Sequence, residues 1–191
     1  MLRLDLVVGP NGAGKTTFVR FTLAAVLPAT TFVNADEIAR LRWPDDAESH
    51  AYEAARIAAA TRARLIEARQ PLIAETVFSH PSKLDLIADA RAAGYTVVLH
   101  ALLVPEDLAV ARVGYRVTAG GHRVPERKIR ERYHRLWPLA AEAIMRADAA
   151  SVYDSARRAG PRVVARFTEG LPVGALDWPA WTPEVLRQHW R

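Results

Sequence analysis

Residues 9–16 read Gly-Pro-Asn-Gly-Ala-Gly-Lys-Thr, the pattern G-x-x-x-x-G-K-[ST] of a loop that wraps a polyphosphate. No other stretch restricts the fold as much, because such a loop works between an incoming strand and an outgoing helix. Leu4, Leu6 and Val8 alternate in the apolar run 2–8 and predict the strand. Phe18, Phe21 and Ala25 recur at helical spacing within 17–26 and predict the helix. The glycines let backbone N–H groups turn inward, and the helix N-terminus adds about half a positive charge. Gly9, Pro10, Asn11, Gly12, Ala13, Gly14, Lys15, Thr16 and Thr17 are therefore the expected nucleotide site. Lys15 is expected to reach the β- and γ-phosphates and Thr16 to offer its hydroxyl to Mg²⁺, so the expected ligands are ATP and Mg²⁺.

The rest of the chain alternates strand and helix patterns. Strands are predicted over 29–33, 71–74, 95–104 and 149–153, and helices over 47–69, 80–93, 105–118 and from Pro125 to about 147. A sixth strand over 162–167 follows a short connection, Ala159-Gly160-Pro161, which implies antiparallel pairing at the sheet edge. The run 95–104 is interrupted only by Thr96 and His100, so it reads as a central strand buried on both faces. His100 is expected to be a satisfied core residue, and Asp154 to be structural. Trp178, Trp181 and Trp190 are expected to dock the tail on the core. With 191 residues, half of them hydrophobic, the chain is expected to form one domain. There is no cysteine, and no apolar run approaches the length of a membrane span. The sequence enters its first strand at once, leaving no room for a signal peptide, and a cytoplasmic protein is expected.

In an open parallel sheet, ligands bind beyond the carboxyl ends of the strands. Asp36 lies just past the second strand, about 20 residues after Lys15. It is either the base that orients a phosphate acceptor or the N-cap of the short helix that follows. Glu75 ends the third strand and either holds Mg²⁺ through water, orients the acceptor, binds a sugar hydroxyl, or caps the helix starting near Pro81. Asn34 and Thr76 stand beside these carboxylates and join the expected acceptor side. The net charge is +5, and the arginine excess is read first as composition. The densest basic stretch holds Arg112, Arg116, Arg123, Arg127, Lys128, Arg130, Arg132 and Arg135 around Gly120-Gly121. A hinged arginine lid there supplies the mobile positive charge that phosphoryl transfer needs. The competing reading is a solvated helix face with pairs such as Glu126–Arg130. Arg123 is the first lid candidate; Arg132 and Arg116 follow.

No Asn-Lys-x-Asp guanine motif is present, since the only asparagines are Asn11 and Asn34, and no strand ends in the Asp-Glu of a motor ATPase. A kinase of a small molecule remains. The segments 9–17, Asn34-Ala35-Asp36-Glu37-Ile38-Ala39, Glu75-Thr76-Val77-Phe78-Ser79, Gly120-Gly121-His122-Arg123-Val124-Pro125, Lys128-Ile129-Arg130 with Arg132-Tyr133, and Tyr153-Asp154-Ser155 together resemble the short branch of the zeta-toxin-like kinases. The resemblance covers roughly residues 1–155. It implies an α/β fold, a P-loop nucleotide-kinase-like three-layer sandwich with a mostly parallel central sheet and an arginine-bearing lid. It also implies ATP- and Mg²⁺-dependent phosphorylation of the 3′-hydroxyl of UDP-N-acetylglucosamine, and a small helical antitoxin as partner. By position, Lys15 and Thr16 match the phosphate-loop residues and Asp36 the catalytic acid. Glu75 matches the carboxylate that positions the sugar, and Arg123 and Arg132 the two lid arginines. Glu75-Thr76-Val77 departs from the family, which carries Gly before Thr there, and the better-known members are longer. Two alternatives stand beside this reading: a kinase or ATPase whose acceptor is another small molecule or water, and a nucleic-acid-binding ATPase using the basic stretch. Nucleic acid is not the expected partner, because no aromatics interleave with those arginines.

Overall fold

The computed structural model describes residues 2–118 and 124–191. Among the described residues, seven strands form one sheet in the order β2-β3-β1-β4-β5-β6-β7. β1 (Arg3–Val8), β2 (Thr31–Asn34), β3 (Leu72–Thr76), β4 (Thr96–Leu103) and β5 (Ala149–Asp154) are parallel. β6 (Arg162–Thr168) and β7 (Leu171–Pro172) run antiparallel beyond β5. After the phosphate loop, α1 (Lys15–Phe18) continues through a π-helical turn (Val19–Leu23) into α2 (Ala24–Val26). The remaining helices are α3 (Ala35–Arg42), α4 (Ala51–Glu67), α5 (Ser82–Ala92), α6 (Glu106–Thr118), α7 (Glu126–Arg146) and α8 (Glu184–His189). This is an α/β fold of the P-loop kinase type.

The alternation of β1 divides the core. Leu4, Leu6 and Val8 face a layer built from α5 and α7, where Leu84, Ile87, Leu136 and Trp137 are buried. Val7 faces the opposite layer, with Ile73 and Leu102 of the neighbouring strands, Phe18, Val19 and Leu23 of the first helix, and Ala109 of α6. A strand buried on both faces needs apolar residues at every position, and β1 and β4 largely meet that. The exceptions share the second layer. Asp5 accepts from Arg3 through both oxygens at 2.7 Å and lies 2.8 Å from His100 Nε2. Burial alone would raise the Asp5 carboxyl, but the His100 and Arg3 bonds hold it below its ordinary value. His100 is thus a satisfied core residue, as expected.

Several boundaries differ from the sequence reading. The buried apolar residues of the first helix are Phe18, Val19 and Leu23, while Phe21 is 79% exposed. The five-residue step from Phe18 to Leu23 is the signature of the π turn, which a 3.6-residue pattern does not anticipate. β3 runs two residues further than expected, because β1 extends beside it and pairs Val7 with Glu75 and Val8 with Thr76. Glu75 therefore sits within the strand rather than at its end. β6 is antiparallel as expected, but β7 covers its far side, and α8 follows in the tail. The tail docks through aromatic contacts. Trp190 and Trp178 lie 4.6 and 6.4 Å from the Phe167 ring, and Trp190 Nε1 donates to Gly170 O at 3.0 Å. Among the described residues no helix is long and apolar enough to cross a membrane.

Candidate active site

The loop after β1 is shaped for a ligand. Gly12 has φ +79°, and a Cβ there would lie 2.5 Å from the carbonyl oxygen of Ala109; one at Gly9 would lie 2.8 Å from that of Leu102. Only glycine lets the backbone approach its neighbours so closely. Gly14 precedes α1 without any side-chain cap, which leaves first-turn N–H groups to an outside acceptor. Lys15 is 7% exposed, and its Nζ donates to the carbonyls of Gly9 and Pro10, both at 3.0 Å. Burial lowers the Lys15 ammonium from its ordinary value; the charges of Glu75 and Asp36 oppose that, and those of Arg116 and Arg132 add to it. The buried Asn11 Oδ1 has no hydrogen-bond partner among the described residues. A cradle of inward amides, one buried ammonium and an open helix start fits a polyphosphate.

Two side chains from elsewhere hold this loop. Ser155, just past β5, donates through Oγ to Ala13 O at 2.7 Å. Arg112 of α6 donates to the carbonyls of Ser155 at 2.9 Å, Ala156 at 3.3 Å and Gly12 at 3.4 Å. In the sequence Arg112 stands in the basic stretch, open between lid and solvated face, and Ser155 has no assigned role. The available signal for Ser155 was its place beyond the carboxyl end of a parallel strand. Asp154 is structural as expected, accepting from the N–H of Ala156 at 2.9 Å.

The strand order sets the other wall. β2, β3 and β1 are neighbours, and Asn34 and Val7 both stand in register with Glu75. Glu75 Oε2 accepts from Thr16 Oγ1 at 2.8 Å and from Asn34 Nδ2 at 2.5 Å. Asn34 Oδ1 accepts from the N–H groups of Asp36 at 2.7 Å and Glu37 at 3.2 Å. The cap of α3 is therefore Asn34, not Asp36. Asp36 is exposed, and its carboxylate has no hydrogen bond among the described residues. Glu75 does not cap α5 either; His80 Nδ1 takes the N–H of Ser82 at 3.2 Å. Burial raises the Glu75 carboxyl above its ordinary value with help from Asp36, against the pull of Lys15, Thr16 and Asn34. Thr76 Oγ1 accepts from Phe78 N at 3.2 Å and turns the chain there, with Phe78 at φ +60° and buried.

The basic stretch divides into two groups. Arg132 of α7 is partly buried; burial lowers it, and the Asp36 charge opposes that. Its neighbour Tyr133 donates to Val104 O at 3.0 Å and fixes this turn of α7 against the end of β4. Arg116 faces the loop closely enough to act on Lys15. Arg130, by contrast, is bound to Glu106, Asp107 and Glu126 at 3.3, 2.9 and 2.9 Å, and Arg127 to Glu131 at 2.7 Å. Those two form the solvated helix face. Arg123 and the glycine pair beside it lie outside the described residues. Among the described residues there is no group of three or more His, Cys, Asp or Glu that could hold a metal alone. Thr16 and Glu75 offer hard oxygens 2.8 Å apart, which fits Mg²⁺ arriving with phosphates and water rather than in an all-protein cage.

The family model described as Zeta toxin matches residues 3–160. No curated protein matches the chain. Among solved structures, the AvrRxo1-ORF1:AvrRxo1-ORF2 complex with sulphate ions has a TM-score of 0.71 at 14% identity, over 90% of this chain and 60% of that one. This chain thus spans about 60% of the length of that relative. The PezAT chromosomal toxin-antitoxin system of Streptococcus pneumoniae has a TM-score of 0.64 at 15% identity, over 98% and 83%. Shikimate kinase from Acinetobacter baumannii, in complex with shikimate, has a TM-score of 0.51 at 22% identity, over 74% and 80%. These likenesses are of fold.

Proposed function

The chain belongs to the zeta toxin family, and on that premise we propose that it is an ATP-dependent kinase of the sugar 3′-hydroxyl of UDP-N-acetylglucosamine. It acts in the cytoplasm as the toxin of a toxin–antitoxin pair whose partner is a small helical antitoxin. One observation carries the reading. Glu75 of β3 is bonded to Thr16 of the phosphate loop, and the uncommitted carboxylate of Asp36 stands within charge range of Lys15. The groups that would hold the donor and the acceptor converge on one point.

ATP with Mg²⁺, when bound, supplies the phosphoryl group and neutralises part of its charge. Residues 9–17 would hold the phosphates, Lys15 would meet the β- and γ-phosphates, and the Thr16 hydroxyl would face the metal. Glu75, anchored by Asn34, would position the sugar and help hold the metal through water; Asn34 and Thr76 would complete the acceptor wall. Asp36 orients the 3′-hydroxyl and takes its proton late, since the transition state is loose and positioning dominates. Arg132, with Arg123 from the lid, meets the charge that develops on the transferred group.

The test is mass spectrometry of UDP-N-acetylglucosamine incubated with the protein, ATP and Mg²⁺, with Lys15→Ala as control. One added phosphate, absent in the control, is the expected result. ATP consumed with the sugar nucleotide unchanged would replace the acceptor by another molecule or by water.

A further inference from the structure

Two cations on the helices that flank β3 have no counter-charge among the described residues. Arg62 follows Ala54 and Ala58 at four-residue steps on the buried face of α4, and it is itself 7% exposed. That helix packs on α3, β2 and β3. Lys83 lies in the first turn of α5, which follows the carboxyl end of β3, where Glu75 stands. Its side chain is half-buried. Neither the guanidinium nor the ammonium has a hydrogen-bond or ion-pair partner among the described residues. Glu53, Glu67 and Asp85, the acidic residues of the same two helices nearest in sequence, are all exposed. Burial lowers Lys83, and the Arg62 charge lowers it further, so the two cations lie within charge range of each other.

A buried charge without a partner is costly, and two of like sign are costlier. A fold keeps such a pair where an anion completes it. Glu75 and Asp36 are not that anion, because both answer to Lys15. We propose that Arg62 and Lys83 form an anion site that holds the diphosphate of the acceptor. This rests on the kinase reading above and gives it a selection rule. The guanidinium fork takes two phosphate oxygens and the ammonium a third. A neutral sugar leaves both cations unpaired and is rejected; a sugar diphosphate is retained while its hydroxyl meets Asp36.

The experiment uses the full chain with the phosphate loop filled by a non-hydrolysable ATP analogue and Mg²⁺. Pyrophosphate is titrated by calorimetry into the wild type, Arg62→Met and Lys83→Met. The wild type binds it, and each variant binds it about tenfold or more weakly, with affinity for the ATP analogue unchanged. Equal pyrophosphate affinity in all three proteins, or none in the wild type, overturns the site. Melting temperatures are taken in parallel. An Arg62→Met protein that melts lower yet binds pyrophosphate like the wild type assigns Arg62 to packing and also overturns it. UDP-N-acetylglucosamine and free N-acetylglucosamine, titrated in the same way, separate the two readings. Pyrophosphate bound through Arg62 without UDP-N-acetylglucosamine keeps the anion site and rejects the acceptor. Turnover of UDP-N-acetylglucosamine by both variants at wild-type kcat and KM keeps the kinase and rejects the site.

Discussion

Asn34 joins two functions in one buried side chain, and its replacement separates them. Its carbonyl caps α3 through two backbone N–H groups, and its amide donates to Glu75. Loss of an N-cap costs about 1 kcal/mol. The bond to Glu75 adds about 1 kcal/mol rather than the full value for a charged acceptor, since Thr16 still donates to the same oxygen. Asn34→Ala should therefore destabilise by about 2 kcal/mol, which for a chain of this length lowers the melting temperature by about 4–8 °C. Asn34→Ser retains a capping oxygen but is too short to reach Glu75, so it should cost about 1 kcal/mol, or about 2–4 °C. Differential scanning calorimetry of the three proteins without nucleotide measures both steps. If Asn34→Ser melts with Asn34→Ala, the cap contributes nothing. If Asn34→Ala melts with the wild type, neither bond matters and the coupling of α3 to β3 described above is wrong.

Three further outcomes are expected. Lys15→Ala and Asp36→Ala should each abolish phosphotransfer to UDP-N-acetylglucosamine, while calorimetry shows ATP affinity falling strongly only in Lys15→Ala; full activity in Asp36→Ala would remove Asp36 from the reaction. Glu75 has a folded pKa raised above its unfolded value, by burial first, so its contribution to stability is full below the unfolded carboxylate pKa of about 4.3 and is lost as pH rises through the folded value. Glu75→Gln keeps an acceptor for Thr16 and Asn34 without the charge, so it should melt above the wild type near about pH 8, with the gap closing toward about pH 4; a gap independent of pH would refute the assignment. Gly12→Ala would press a methyl against the Ala109 carbonyl in a left-handed backbone; strain of about 1–3 kcal/mol should lower both stability and ATP affinity, and unchanged ATP affinity in a calorimetric titration would show that the loop tolerates reshaping.

The parts of the site that come from short-range pattern were legible in the sequence. The phosphate loop, its flanking strand and helix, and the carboxylates at the ends of β2 and β3 are each set by residues a few positions apart. The central strand with its buried His100, the antiparallel β6 and the docked tryptophans also follow from local composition. What escaped depends on pairing between distant segments. Glu75 moved onto the strand because β1 extends beside it, which no property of residues 71–76 announces. Asn34 took the cap that Asp36 was equally suited to, and the choice follows from the register that turns its side chain toward both α3 and Glu75. Arg112 looked like its basic neighbours; only the approach of α6 to the loop and the end of β5 distinguishes a clamp from a lid. Arg62 carried no signal, since its interest lies in what does not surround it.

The bonds from Ser155 and Arg112 to the phosphate loop have a consequence for the order of assembly. Ser155 and Ala13 are 142 positions apart, so the loop is synthesised well before its brace. A nascent chain that has released β1, the loop and α1 holds the motif without its final shape. Nucleotide competence waits for β5 to close the parallel part of the sheet, a long-range step that folds late. The nucleotide site therefore stays unfinished while the 142 positions from the loop to its brace are made.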